Sequence, residues 1–329
     1  MAEVGKLSST KIMTYEGCNM AYFLKYVARE KVPLNPRPVF GRVMHYMLER
    51  YYKVNYKSAE SFSKFFKYYW ISTIAGEFLS KSQKRELKIE EHRYFARDKD
   101  TQKREEKILR VGSHINLSFA DDVPGIVFGY MNLGSNILSR FFIKHDGRIP
   151  PVAVEKSFGV KKDEPLSING HLVRGVFDRI DRVRDELSFT DYKTDKSSPQ
   201  EDSFYLHRNP QFTLYSYVFR KIYGAQESAI YFYHLRDLAR YETHRNEKDY
   251  DYLKGLLDKV ANGIEKDLFV PFYGFHCKFC DYRAPCEKYN IPYRGGPRID
   301  LEGRIRGAKS FDDWDIEIPN WLENQIEEI

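Results

Sequence analysis

Val173-Arg-Gly175-Val-Phe-Asp178-Arg-Ile-Asp181-Arg-Val183, followed after Arg184-Asp185 by Leu187-Ser-Phe-Thr-Asp191-Tyr192-Lys193-Thr194, decides how this chain folds. Both runs are rich in β-branched and aromatic residues, and the two residues between them suit a hairpin turn. Side chains alternate between the faces of a strand, so Asp191 and Lys193 project from the same side. If the turn holds only Arg184 and Asp185, Asp178 lies directly across from Asp191. Facing carboxylates destabilise a strand pair unless something neutralises them, and a divalent cation with oxygen ligands does so. Two acids and a lysine on one groove suit metal-assisted hydrolysis of a phosphodiester. The plainer alternative is an exposed hairpin whose charges face water.

Motifs on either side narrow the choice. Upstream, Gly41-Arg-Val-Met-His45 sits in a helical stripe formed by Phe40, Val43, Met44, Met47, Leu48 and Tyr51, with His45 at its border. Downstream, Gln211-Phe-Thr-Leu-Tyr215 follows Asn209-Pro210, a helix cap and first-turn proline, and Gly224 reads as the stop. Gln211 and Tyr215 therefore share one face of the first helical turns. Pro151-Val-Ala-Val-Glu155 reads as another strand bearing an acid.

In this order the motifs resemble the PD-(D/E)XK nuclease superfamily, in its RecB/AddB-like branch. The resemblance covers roughly residues 7–56 and 150–290. It implies an α/β restriction-endonuclease-like core, a small mixed sheet flanked by helices, with a helical insertion and a C-terminal iron–sulfur staple. It also implies cleavage of DNA dependent on Mg²⁺ or Mn²⁺, exonucleolytic and directed at single strands or free ends. Asp178 and Asp191 would hold the metal with His45 and the Tyr192 carbonyl. Lys193 would position the nucleophile, Glu155 would be a further active-site acid, and Gln211 and Tyr215 would hold DNA or orient the lysine.

Cysteine usage is a separate argument. Of four cysteines, three lie in Cys277-Lys-Phe-Cys280-Asp-Tyr-Arg-Ala-Pro-Cys286, and the fourth, Cys18, is near the other end. Spending every cysteine on one arrangement suggests a four-thiolate site. The spacing resembles the cluster-bearing members of the same branch, which carry a 4Fe-4S cluster, although Asn19 stands where they have proline. Four thiolates also suit Zn²⁺, and two disulfides remain the non-metal alternative. A metal at this site would tie residue 18 to the 277–286 segment across a long loop.

The net charge of +6 is uneven. Residues 310–329 hold seven acids and no Lys or Arg, leaving +13 on the rest, which fits a polyanionic partner. That acidic tail, with Phe311, Trp314 and Trp321, suits docking to a protein partner, folding back over a basic DNA groove as a competing polyanion, or an ordinary terminal packing role. No stretch reaches membrane-spanning length and the N-terminus lacks a leader-like apolar core, so the expected compartment is the cytoplasm. No P-loop of the form GxxxxGK[ST] occurs. The organisation expected is N-terminal helices over 1–56, a mainly helical insertion over 57–147, the core and cysteine segment over 148–290, and an extension over 291–329. A DNA-repair or recombination nuclease is the leading reading. A non-catalytic or weakly catalytic DNA-binding or interaction subunit of a recombination or repair complex, built on the same scaffold, is the alternative.

Overall fold

The computed structural model describes residues 3–32, 35–78, 125–145, 150–161, 164–199 and 204–289. The charge-dense part of the expected insertion and the acidic tail lie outside these residues. The described residues form two compact units, one from 3–32 and 150–289 and the other from 35–78 and 125–145.

The first unit is built on a five-stranded mixed sheet. Its strands in chain order are β1 (Ala153–Phe158), β4 (Gly175–Val183), β5 (Glu186–Lys193), β6 (Ile230–His234) and β7 (Ala239–Thr243), with β2 (Ser167–Ile168) and β3 (His171–Leu172) forming a separate ribbon. Spatial order is β1-β4-β5-β6-β7, and only β5 and β6 run parallel. A parallel pair needs a crossover, and here the Pro210–Tyr223 helix lies within that connection. Asn209 caps it by accepting the Gln211 N–H, Pro210 occupies its first turn, and Gly224 ends it at φ 65°. Both ends are therefore set by local chemistry.

Phe212, Leu214, Val218 and Phe219 of this helix are buried. Phe219 meets Phe177 of β4 and Phe189 of β5 with ring centroids 5.9 and 5.5 Å apart. The Glu247–Glu265 helix, closed at its start by a capping box between Asn246 and Asp249, adds Leu253, Leu257, Val260 and Ile264 to the same core. The β4–β5 turn is the expected Arg184-Asp185 pair, since Val183 opposes Glu186. Arg184 takes φ 58°, the left-handed value that tight hairpin turns require at their first position. β4 begins at Gly175 and not at Val173. The amides of Val173 and Arg174 are engaged elsewhere, on the carbonyls of Leu166 and Leu7. The edge strand β7 was not foreseen from the sequence.

The N-terminal segment belongs to this unit. The Ser9–Gly17 helix stops at Cys18, which is extended at φ −167° before Asn19–Tyr22 and a π-helical turn at Phe23–Val27. Tyr15 and Asn19 both donate to the Leu268 carbonyl. Lys288 pairs with Glu30 at 3.2 Å, a further contact between the N-terminal segment and the 268–289 region.

The second unit consists of the helices Pro36–Lys53, Ala59–Phe78 and Gly125–His145. Its interior is aromatic. Phe40 meets Trp70 and Tyr130, and Tyr51 meets Phe62 and Phe141. Arg50 is buried among these rings, donating to the hydroxyls of Tyr46 and Tyr56 and lying over Phe65. His45 is half-buried on the first of these helices, at the border of its apolar stripe as the periodicity indicates. No helix among the described residues is long and apolar enough to cross a membrane.

Candidate active site

The hairpin places its two acids as the register requires. The last paired position of β4 and β5 is Arg179 with Thr190, and the next along is Asp178 with Asp191. Here the Asp178 carboxylate accepts the Tyr192 N–H at 2.7 Å, in place of a backbone carbonyl. Asp178 and Asp191 are 8% and 2% exposed. Burying two ionised carboxylates side by side is costly unless cationic partners are present.

Lys193 is one such partner. Its ammonium lies 2.9 Å from Asp191 Oδ2 and donates to Gln211 Oε1 at 3.0 Å. The Gln211 amide closes the triangle by donating to Asp191 Oδ1 at 2.6 Å. Burial acts to lower the Lys193 pKa, but the carboxylates of Asp191 and Asp178 outweigh it and raise it above the ordinary lysine value. Lys193 is thus held as a fixed cation with a defined direction. Gln211 can do this because the Asn209 cap and Pro210 fix the first helical turn beside the end of β5.

Tyr215, one turn further on, is 6% exposed, and its hydroxyl accepts the Val176 N–H at 3.4 Å. Burial first, then the fields of Asp191 and Asp178, push its phenol up to about 12. Its ring packs against Phe158 and Phe177. A β-carbon at Gly175 would stand 2.4 Å from Phe158 Cζ and 3.0 Å from Tyr215 Cε1, so glycine at this position allows the tyrosine to close on the sheet. Gln211 thus touches both Asp191 and Lys193, whereas Tyr215 touches the start of β4.

Glu155 occupies the β1 position opposite Asp178, between the pairs Val154–Arg179 and Lys156–Phe177. Their carboxylate oxygens come within 4.8 Å of one another. Glu155 has φ 48°, which is uncommon for a non-glycine residue inside a strand. Such strain persists only when the surrounding structure imposes it, and it clusters at functional sites. Buried and half-buried carboxylates at this spacing fit a hard divalent cation with oxygen ligands. His45 belongs to the other unit and the Tyr192 carbonyl to the end of β5.

The four cysteines also come together. Cys18, Cys277, Cys280 and Cys286 line one pocket with Leu24 and Phe272, and all four are free thiols, not disulfides. Cys18 reaches it from the extended break between two helices, Cys277 from the short Phe275–Phe279 turn, and Cys286 from the Arg283–Lys288 helix. Burial, then the fields of Cys18, Cys280 and Cys277, push the Cys286 thiol up to about 11. Four thiols gathered in one half-buried pocket, where ionising any one of them alone is disfavoured, fit a site at which a bound metal would stabilise the thiolates together.

The sequence reading passed over the short helix Phe204–Arg208, which precedes Asn209. Phe204 and Tyr205 are exposed there, at 63% and 59%. The signal available was two adjacent aromatics followed by Arg208, immediately before the helix cap.

The family profile of the PD-(D/E)XK nuclease superfamily matches residues 6–287. The chain belongs to that superfamily, whose members are metal-dependent nucleases. None of the curated proteins matches the chain. A crystal structure, that of SSO0001, is similar at 15% identity, covering 57% of this chain and 77% of its own, with a TM-score of 0.31.

Proposed function

We propose that the protein is a divalent-cation-dependent DNA exonuclease of the RecB/AddB-like branch, acting on single-stranded or free DNA ends in repair, recombination or end processing. The observation that carries this reading is the triangle of Asp191, Lys193 and Gln211 beside Asp178. A divalent cation, when bound, supplies Lewis acidity toward the phosphodiester. Asp178, Asp191 and Glu155 are the acids that would hold it, with the Tyr192 carbonyl as a further oxygen and His45 assigned on its motif alone.

Lys193 presents a fixed positive charge to the phosphoryl oxygens, where charge grows in the transition state. Gln211 holds that ammonium and the Asp191 carboxylate in one geometry, so little reorganisation is needed as the reaction proceeds. Tyr215 supports the start of β4 from below through the Val176 amide. In this reading Gln211 and Tyr215 touch DNA less than they fix the groups that do.

The cysteine pocket holds a 4Fe-4S cluster in this proposal, with zinc as the alternative, and its role is structural. The basic body, +13 without the last twenty residues, supports a nucleic-acid partner whose affinity falls with salt. The acidic tail is assigned to a protein partner.

End-labelled single- and double-stranded DNA, incubated with Mg²⁺, Mn²⁺ or chelator, tests the reading. Mononucleotides released from single-stranded ends only with metal would support it. Intact DNA under every metal condition would reject the catalytic assignment, and internal cuts would replace exonuclease with endonuclease.

A further inference from the structure

Phe204 and Tyr205 form a pair of exposed rings on a firmly anchored helix at the edge of the candidate active site. The anchoring is specific. Leu206, the next residue, is 2% exposed, and its carbonyl accepts from Arg245 Nη2 at 2.7 Å. Arg245 is itself buried and also donates to Thr213 on the Pro210–Tyr223 helix and to Thr243 of β7. His207 pairs with Asp249 at 3.3 Å. The helix is therefore fixed on one side to two core elements while two large rings point outward on the other.

The outward side adjoins the chemistry. The helix ends at Arg208, directly before the Asn209 cap of the Pro210–Tyr223 helix, and Tyr205 lies within the fields of Asp195, Lys193 and Asp191. Asn209 accepts the Gln211 N–H, and Gln211 grips Asp191 and Lys193. From the end of this helix only Asn209 and the Gln211 it caps lead to the reacting groups. The Arg208 guanidinium lies 3.6 Å from the Phe204 ring centroid, which places a cation on the aromatic face.

Solvent-facing rings bring no gain in folding, so a rigid exposed pair next to a phosphodiester site suggests an aromatic ligand carrying negative charge. Unpaired nucleobases stack on such rings regardless of sequence, while their phosphates meet Arg208. Bases inside a duplex are already stacked and cannot do so. We propose that Phe204 and Tyr205 are a stacking platform for unpaired bases of single-stranded DNA next to the scissile phosphate, with Arg208 contacting its backbone. This rests on the nuclease reading and gives that site its preference for single strands.

The test is equilibrium binding of a short fluorescein-labelled oligo(dT), the same strand with one abasic position scanned along it, and a blunt duplex. Wild type, Phe204→Ala, Tyr205→Ala, Tyr205→Phe and the double alanine variant are compared, with melting temperature as a folding control. Each alanine change should weaken oligo(dT) binding by roughly 10-fold. Duplex binding should hold, and Tyr205→Phe should keep wild-type affinity because the ring is what stacks. Wild type should lose affinity at one or two abasic positions, and the double variant should no longer sense them.

Unchanged oligo(dT) affinity in the double variant, or an equal loss for duplex and single strand, overturns the platform. Because binding is read without metal, it is decided separately from cleavage. A wild-type protein that binds as described yet never cuts DNA would refute the nuclease reading and leave the platform standing.

Discussion

Lys193 and Asp191, two residues apart on one strand, are joined by a 2.9 Å ion pair at a position where Asp191 is 2% exposed. The hairpin turn then sets Asp178 against Asp191, and Gln211 reaches in from the crossover helix to bond both members of the pair. Each of these contacts follows from a local rule: strand alternation, a two-residue turn, and a capped helix.

Asp178 has two separable tasks, one ionic and one structural. Asp178→Asn removes the charge but keeps an oxygen for the Tyr192 N–H, whereas Asp178→Ala removes both. Mn²⁺ binding by calorimetry should fall at least about 10-fold in both variants. Urea unfolding should show the alanine variant less stable than the asparagine variant by about 1–3 kcal/mol, the cost of a buried unpaired amide. Equal stability would mean that the amide finds another partner.

At the cysteine pocket, anaerobically purified protein should be brown and contain iron with acid-labile sulfide. Cys18→Ser and Cys286→Ser should each lose most of the metal and lower the melting temperature, because the centre joins distant parts of the chain. Colourless protein with one equivalent of zinc decides for the alternative, and metal-free protein of unchanged stability rejects a metal centre.

In the helical unit, Gly134→Ala should destabilise although alanine favours a helix by about 1 kcal/mol. The new carbon would stand 2.2 Å from Phe66 Cζ and 2.9 Å from Phe40 Cε2, and both rings are buried. The expected loss is about 1–3 kcal/mol, read by chemical denaturation. A gain in stability would show that the rings rotate away freely.

Arg245 offers a comparable test of the anchoring beneath the exposed rings. It donates to Thr213, Thr243, His244 and Leu206 together. Arg245→Lys should not rescue the loss seen in Arg245→Met, since a single ammonium cannot reproduce the fork. Both variants should unfold at lower urea. Full recovery with lysine would reduce the interaction to charge alone.

Much of the site was legible from sequence because short-range rules fix it. The Arg184-Asp185 turn sets the register, the register pairs Asp178 with Asp191, and Asn209-Pro210 starts the helix bearing Gln211. The convergence of Cys18 with the 277–286 segment was legible from usage, since the chain has only four cysteines. What was not legible depends on packing at long range. The left-handed backbone of Glu155 falls at a residue that is neither glycine nor asparagine, so nothing in the sequence announces it. β7 is a short edge strand of alternating exposure, and Arg245 looks like any surface arginine until its partners from three other elements surround it. Phe204 and Tyr205 had no periodic context to mark them as exposed.

The central claim is that Lys193 acts on the transition state while Asp178 and Asp191 hold the metal. Single-turnover cleavage of end-labelled single-stranded DNA with Mn²⁺, paired with binding of the same strand, tests it in wild type and Lys193→Ala. The account predicts a fall in rate of at least about 100-fold with affinity unchanged within a few-fold. Near-wild-type cleavage by Lys193→Ala would contradict it, as would a loss of rate wholly explained by weaker binding.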